Sequence, residues 1–145
     1  MPTLTVKEEA EPDPATIAAI GEGLDAHNLP FGGPHVVRPL WLIGRDRAGV
    51  VKAGLKAATH WRWLYVDWLW VDERFRRSGV GGSLLARAEE IGAGRGCIGA
   101  YLNTFSFQGP DFYPRHGYVE VGRIEDFPPG HSRIWFSKTL AAPDA

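Results

Sequence analysis

Apolar residues recur along this chain with two periods, about 2 and about 3.6 residues, and the switches between them predict a mixed α/β fold. Thr3 to Lys7 alternates, with β-branched positions, and predicts a short first strand. Asp13-Pro14 then opens a helix. Asp13 can cap the free amide hydrogens, and Pro14 suits the first turn. Ile17, Ile20 and Leu24 follow at helical spacing and predict one buried stripe, ending near Asn28 before Pro30. Phe31-Gly32-Gly33-Pro34 reads as a loop. Val36 to Arg45 and Val50 to His60 predict two strands around a hairpin turn at Asp46 to Gly49, with Gly54 as a bulge position.

Trp61 to Val71 is dense in aromatic and β-branched residues. Alternation assigns Trp61, Trp63, Tyr65, Asp67, Leu69 and Val71 to one face, and Arg62, Leu64, Val66, Trp68 and Trp70 to the other. Both faces are largely apolar, which predicts a central strand covered on both sides. A helix is expected from about Val80 to Ala93, with Leu84, Ala88 and Ile91 as its stripe and Gly94 and Gly96 as its stop. Cys97 to Thr104 predicts another strand, and Ser106 to His116 a short helix broken by Pro110 and Pro114. Gly117 suits a left-handed end. Tyr118 to Glu125 and Ser132 to Thr139 predict the last two strands, and residues 140–145 a loose tail. No repeat or dividing linker interrupts residues 1–145, so one domain is expected.

Composition narrows the function classes. The chain has 145 residues, 44% hydrophobic and 23% charged, which excludes wholesale disorder. Sixteen basic residues face 17 acidic ones, so no global field recruits nucleic acid or an anionic membrane. Cys97 is the single cysteine, which excludes an intramolecular disulfide and a cysteine-based zinc site. No His, Cys and carboxylate spacing suits a metal. No secretory signal is present, and no apolar run reaches the roughly 18 residues of a membrane span, so a cytoplasmic location is expected. The composition has one oddity. Four of the six tryptophans lie between Trp61 and Trp70.

The segment with candidate chemistry follows that cluster: Val71-Asp72-Glu73-Arg74-Phe75-Arg76-Arg77-Ser78-Gly79-Val80-Gly81-Gly82-Ser83. A strand ends, three arginines and three glycines follow, and a helix begins. Free amide hydrogens and the positive end of the helix dipole make such a start an anion site. Glycines let a ligand approach the backbone, and Arg74, Arg76 and Arg77 add charge. A P-loop would need lysine before Ser83, where Gly82 stands. The dinucleotide fingerprint would need glycine at Leu84.

The spacing Arg76-x-x-Gly79-x-Gly81 resembles the acetyl-CoA pyrophosphate loop of the GNAT superfamily of N-acetyltransferases. A second signature lies at Ser106 to Tyr118, similar to the family's Asn-x-x-Ala-x-x-Phe-Tyr-x-Lys-x-Gly-Phe. Phe112, Tyr113 and Gly117 match it; Arg115 and Tyr118 are conservative replacements; Ser106 and Gly109 depart from Asn and Ala. The chain looks like a small bacterial member. The resemblance covers residues 3–139.

It implies a mixed, mostly antiparallel sheet flanked by helices, with two parallel strands that splay, here Trp61–Val71 and Cys97–Thr104. It implies acetyl-CoA as co-substrate, held between them, and no metal. The stretch Leu69, Trp70 and Val71 would meet the pantetheine. Amides of Arg76, Arg77, Ser78, Gly79, Val80, Gly81 and Gly82 would hold the pyrophosphate, with Ser83 donating to phosphate and Ser106 at the position of the family's Asn. Tyr113 matches the usual acid for the departing thiolate. Asp67, the one carboxylate in an aromatic strand, is the candidate base, and Trp61, Trp63 and Tyr65 are the candidate acceptor wall. The implied activity is direct acetyl transfer, in a ternary complex, to a primary amine of a small molecule or protein. Many members are homodimers. The competing expectation is a non-catalytic acyl-CoA sensor.

Overall fold

A computed structural model describes residues 2–140. They fall into two compact units, one ending at His35 and one beginning at Val36.

The first unit contains helix α1, Pro14–Gly32. The Asp13 carboxylate accepts from the Thr16 amide at 2.9 Å, the expected N-cap. The helix does not stop at Asn28. Pro30 lies so near the end that it forfeits little of the ladder, and Gly33, at φ 72°, closes it by donating to the Leu29 carbonyl. The expected buried stripe is absent: Ile17, Ile20 and Leu24 are exposed. Thr3 to Lys7 forms no strand.

The second unit is a six-stranded sheet and one long helix. The strands are β1 (Arg38–Arg45), β2 (Val51–His60), β3 (Trp63–Val71), β4 (Gly99–Phe105), β5 (Val119–Glu125) and β6 (Ser132–Thr139), in the order β1-β2-β3-β4-β6-β5. Every neighbouring pair is antiparallel except β3 with β4. A parallel neighbour needs a crossover, and helix α2 (Val80–Gly94) supplies it. Its buried residues Leu85, Ala88 and Gly92 face the sheet. A Cβ on Gly92 would lie 3.4 Å from the Leu64 side chain, so glycine lets the helix sit close. Gly94 belongs to the helix, and Gly96, at φ 90°, turns the chain out of it. The core under α2 includes Leu40, Leu55, Leu64, Val66, Leu102 and Phe136.

Two local departures change which side chains share a face. Trp61 and Arg62 are not part of a strand. With φ of 42° and 63° they form the two-residue turn between β2 and β3. Within β3, Lys56 pairs with Trp68 but Ala57 pairs with Val66, so Asp67 is an extra, bulged residue. One extra residue reverses the alternation beyond it. Leu69 and Val71 therefore join Leu64 and Val66 on the α2 face, opposite the buried Leu55 and Ala53. Trp68 and Trp70 join Trp63 and Tyr65 on the other face, where both indoles are exposed rather than covered. Gly54 sits in regular register between Ile43 and Trp70 and forms no bulge.

The segment from Ser106 to His116 is two 3-10 turns, Pro110–Phe112 and Pro114–His116, ended by Gly117 at φ 89°. Leu140 is not loose: it is buried, and its amide donates to the Ile98 carbonyl at 3.0 Å. Residues 141–145 lie outside the described residues.

Candidate active site

The β3–β4 ladder has only four pairs and ends at Val66↔Leu102. β3 runs on to Val71 and β4 to Phe105 without a shared ladder. β2 still pairs with β3 through Leu69 and Val71, so the edge of β3 toward the gap is free to bond a ligand's amides. The bulge at Asp67 follows directly on the last parallel pair. There a cleft of about 1250 Å³ opens, walled by Asp67 to Val71, the first turn of α2, the end of β4 and the segment around Tyr113.

One mouth of the cleft is the start of α2. After β3, a 3-10 turn at Glu73–Phe75 is capped by the Asp72 carboxylate, which accepts from the Arg74 amide at 3.0 Å. Arg77 and Gly79 take left-handed backbone, φ 63° and 85°, which turns the chain into the helix. Arg76 spends one donor on the Val71 carbonyl, 2.9 Å from its Nε, and still lines the cleft with Arg77. Gly81 and Gly82 are small because the opposite wall is close. A Cβ on Gly81 would meet the Phe112 ring at 3.5 Å, and one on Gly82 would meet the His116 ring at 2.7 Å. Bare first-turn amides, two arginines and no carboxylate in the turn make this an anion site.

Tyr113 lies deeper, between Phe112, Tyr118 and Phe136, with ring centroids 5.1 to 6.0 Å away. Burial pushes its phenol above its ordinary value, so it keeps its proton at neutral pH. Its hydroxyl makes no hydrogen bond to another described residue. Asp67 also lines the cleft. It is exposed rather than enclosed by aromatics, and it is paired with Lys56 at 3.1 Å.

The cleft brings together Asp67, Leu69, Trp70, Val71, Arg76, Arg77, Gly79, Gly81, Gly82, Ser83 and Tyr113. It does not include Ser78, whose hydroxyl turns back to the Phe75 carbonyl, or Val80, which faces a small separate hollow beside Phe75. Ser106 is also outside, its Oγ accepting from the Ser132 amide at 2.9 Å. Trp61 is outside because it belongs to the β2–β3 turn, and Trp63 and Tyr65 because they stand where β3 and β4 are still paired. There Trp63 and Tyr65 pack on Tyr101, at 6.2 and 4.9 Å.

Sequence reading missed other lining residues: Asn103, Thr104, Phe107, Gln108, Arg115 and His116. Gln108 offers an amide two residues beyond Ser106; its Oε1 accepts from the Phe105 amide and the Thr104 hydroxyl. That bond pattern depends on the turn after β4, and the spacing of the motif carries no sign of it.

The family described as "Acetyltransferase (GNAT) domain" matches residues 39–120, which span the sheet strands and helix around the cleft. The chain belongs to the GNAT acetyltransferase family. A solved structure of the same fold, a streptothricin acetyltransferase from Bacillus anthracis with a TM-score of 0.63 and 19% identity over 71% of this chain and 63% of the other, is in complex with acetyl coenzyme A. The chain is 37% identical to Acetyltransferase Atu2258 of Agrobacterium fabrum, over 83% of this chain and 88% of that protein. It is 46% identical to the Blasticidin-S acetyltransferase of Streptomyces morookaense, over 57% of this chain and 61% of that relative's length. A crystal structure of an acetyltransferase from Bacillus cereus superposes with a TM-score of 0.82 and 32% identity, covering 92% of this chain and 98% of the other. Among the described residues no helix is long and apolar enough to cross a membrane, and no group of side chains is arranged to hold a metal ion.

Proposed function

We propose that this protein transfers an acetyl group from acetyl-CoA to the amine of a small molecule. The observation that carries the reading is the parting of β3 and β4 directly before the arginine- and glycine-rich start of α2. That geometry fits acetyl-CoA at both ends. The anion site suits its phosphates, and the free edge of β3 beyond Val66 suits the amides of its arm. Gln108 supplies the side-chain amide that the family motif would place at position 106. The small-molecule acceptor follows the relative named for blasticidin S. A cytoplasmic setting, where Cys97 stays reduced, belongs to the same reading.

Acetyl-CoA supplies an activated carbonyl carbon and a thiol leaving group. The amine nitrogen attacks that carbon, and the carbon–sulfur bond breaks. Tyr113 gives its phenolic proton to the departing thiolate, and Asp67 takes the proton the amine sheds. A pH–rate profile unchanged in Asp67→Asn would assign that proton to water instead.

The reading is tested by thiol release from acetyl-CoA across a panel of small amines. Release above the acceptor-free rate with at least one amine is expected. Tight acetyl-CoA binding with release that never exceeds that rate would make the protein a sensor rather than an enzyme.

A further inference from the structure

Arg133 on β6 is built like a binding residue and is not used by the cleft machinery described above. Its Nε donates to Asn103 Oδ1 at 2.8 Å. Its guanidinium lies 5.0 to 5.3 Å from the ring centres of Phe105, Phe127 and Trp135. It makes no ion pair with a described residue, and its two terminal amino groups have no acceptor there, yet they are not sealed from solvent. A guanidinium held at its base by a neutral amide, walled by rings and open at its fork is preorganised for a planar anion.

Its place relative to the cleft is set by the sheet. Cross-strand partners share a face, so the pairs Tyr65↔Tyr101, Asn103↔Trp135 and Phe105↔Arg133 put all of these on the face opposite α2. Asn103 is the link. It lines the cleft one residue past the last β3–β4 pair, accepts from Arg133 and donates to the Tyr65 hydroxyl at 3.2 Å. Arg133 therefore stands on the face opposite α2, one hydrogen bond away from the cleft-lining Asn103.

We propose that Arg133 binds a carboxylate carried by the acceptor, so that the preferred substrates are amines bearing an acid group. A carboxylate fits better than a phosphate because no other lysine or arginine of the described residues stands over these three rings, and one cation matches one negative charge. The assignment of the anion to an acceptor rests on the acetyl-transfer reading; the anion site itself does not.

Two arms separate these. In the first, the protein saturated with CoA is titrated with benzoate, benzamide and phenyl phosphate, read by the fluorescence of Trp135 and its neighbours. Benzoate should bind at least roughly tenfold more tightly than benzamide, as for a charge-assisted fork. Arg133→Gln should abolish the difference while leaving affinity for acetyl-CoA intact, which also shows that the variant is folded. Arg133→Lys, which keeps the charge but loses the fork, should retain only part of it. Benzoate and benzamide binding alike, or the preference persisting in Arg133→Gln, overturns the site. Tighter binding of phenyl phosphate overturns the choice of carboxylate. In the second arm, thiol release is compared between amino acids and their carboxamides. A carboxylate preference in kcat/KM that Arg133→Gln erases supports the proposal; transfer without such a preference overturns it. A benzoate site together with no transfer to any amine would sink the acetyltransferase reading and leave the anion site standing.

Discussion

Tyr113 carries the most direct test at the scale of a residue. It sits in the cleft with a free hydroxyl, and burial raises its pKa, so through neutral and mildly alkaline pH it is a proton donor. Tyr113→Phe should lower kcat by roughly 10²- to 10⁴-fold, the usual worth of acid–base catalysis, with acetyl-CoA affinity little changed. Steady-state kinetics beside an equilibrium titration would show it; an unchanged kcat removes Tyr113 from the reaction. Gly82 is the second residue to test. A methyl group there would stand 2.7 Å from His116, so Gly82→Ala should displace the His116 ring into the anion site and weaken acetyl-CoA binding severalfold. Adding His116→Ala should restore the affinity, measured by calorimetry. If the double variant binds no better than the single one, the loss comes from the helix backbone and not from the ring.

At the scale of elements, the bulge in β3 matters most. One extra residue, Asp67, lets Leu69 and Val71 face α2 although Leu64 and Val66 already do. The same residue lies where β4 leaves the ladder, so the change of face and the opening of the cleft share one position. Arg95 holds the far end of α2. Its guanidinium donates to the carbonyls of Arg38 and Pro39 and to the Thr59 hydroxyl at 3.0 to 3.3 Å, tying the helix end to β1 and β2. Arg95→Met keeps the length of the side chain and removes the donors. It should cost about 1–3 kcal/mol in urea unfolding, with little effect on acetyl-CoA affinity. The α2 helix and its glycine-rich start were legible in the sequence because helical period and glycine stops are local signals. The β2–β3 turn was not, because Trp61 and Arg62 take positive φ without being Gly, Asn or Asp. The Trp61 expectation went with it, and the hydroxyl of Ser106, at the position of the family's Asn, is engaged by the Ser132 amide of β6, a partner 26 residues away.

At the scale of the sheet unit, Tyr118, Glu89 and Lys138 clamp the chain segments across the core. The Tyr118 hydroxyl donates to Glu89 at 2.8 Å, and Lys138 pairs with the other Glu89 oxygen at 2.8 Å, joining α2, the start of β5 and β6. Burial, and then the Glu89 carboxylate, push the Tyr118 phenol far above its ordinary value. Because the folded value lies above the unfolded one, this contribution is complete below about pH 10 and is lost as pH rises beyond it. Urea unfolding followed between roughly pH 8 and 11 should show stability falling at the alkaline end. Tyr118→Phe should lose about 1–3 kcal/mol at neutral pH and show a shallower alkaline decline. An equally steep decline in the variant would assign the effect to other groups.

The sequence by itself determined the local chemistry: the α2 helix, the order of strands from Val36 onward, the arginine–glycine loop and the Phe112-Tyr113 pair. Each of these is set by the spacing of residues close together in the chain. Tertiary structure decided what depends on partners far away in the chain. Pairing with β2 made Asp67 a bulge and turned Leu69 and Val71 toward the core. Departure of β4 from β3 opened the cleft. Cross-strand register put Asn103 and Arg133 side by side, 30 residues apart in sequence and 2.8 Å apart in space. Alternation along one strand reads a face correctly only while the ladder is unbroken, and nothing local in a strand says where its neighbour will leave it.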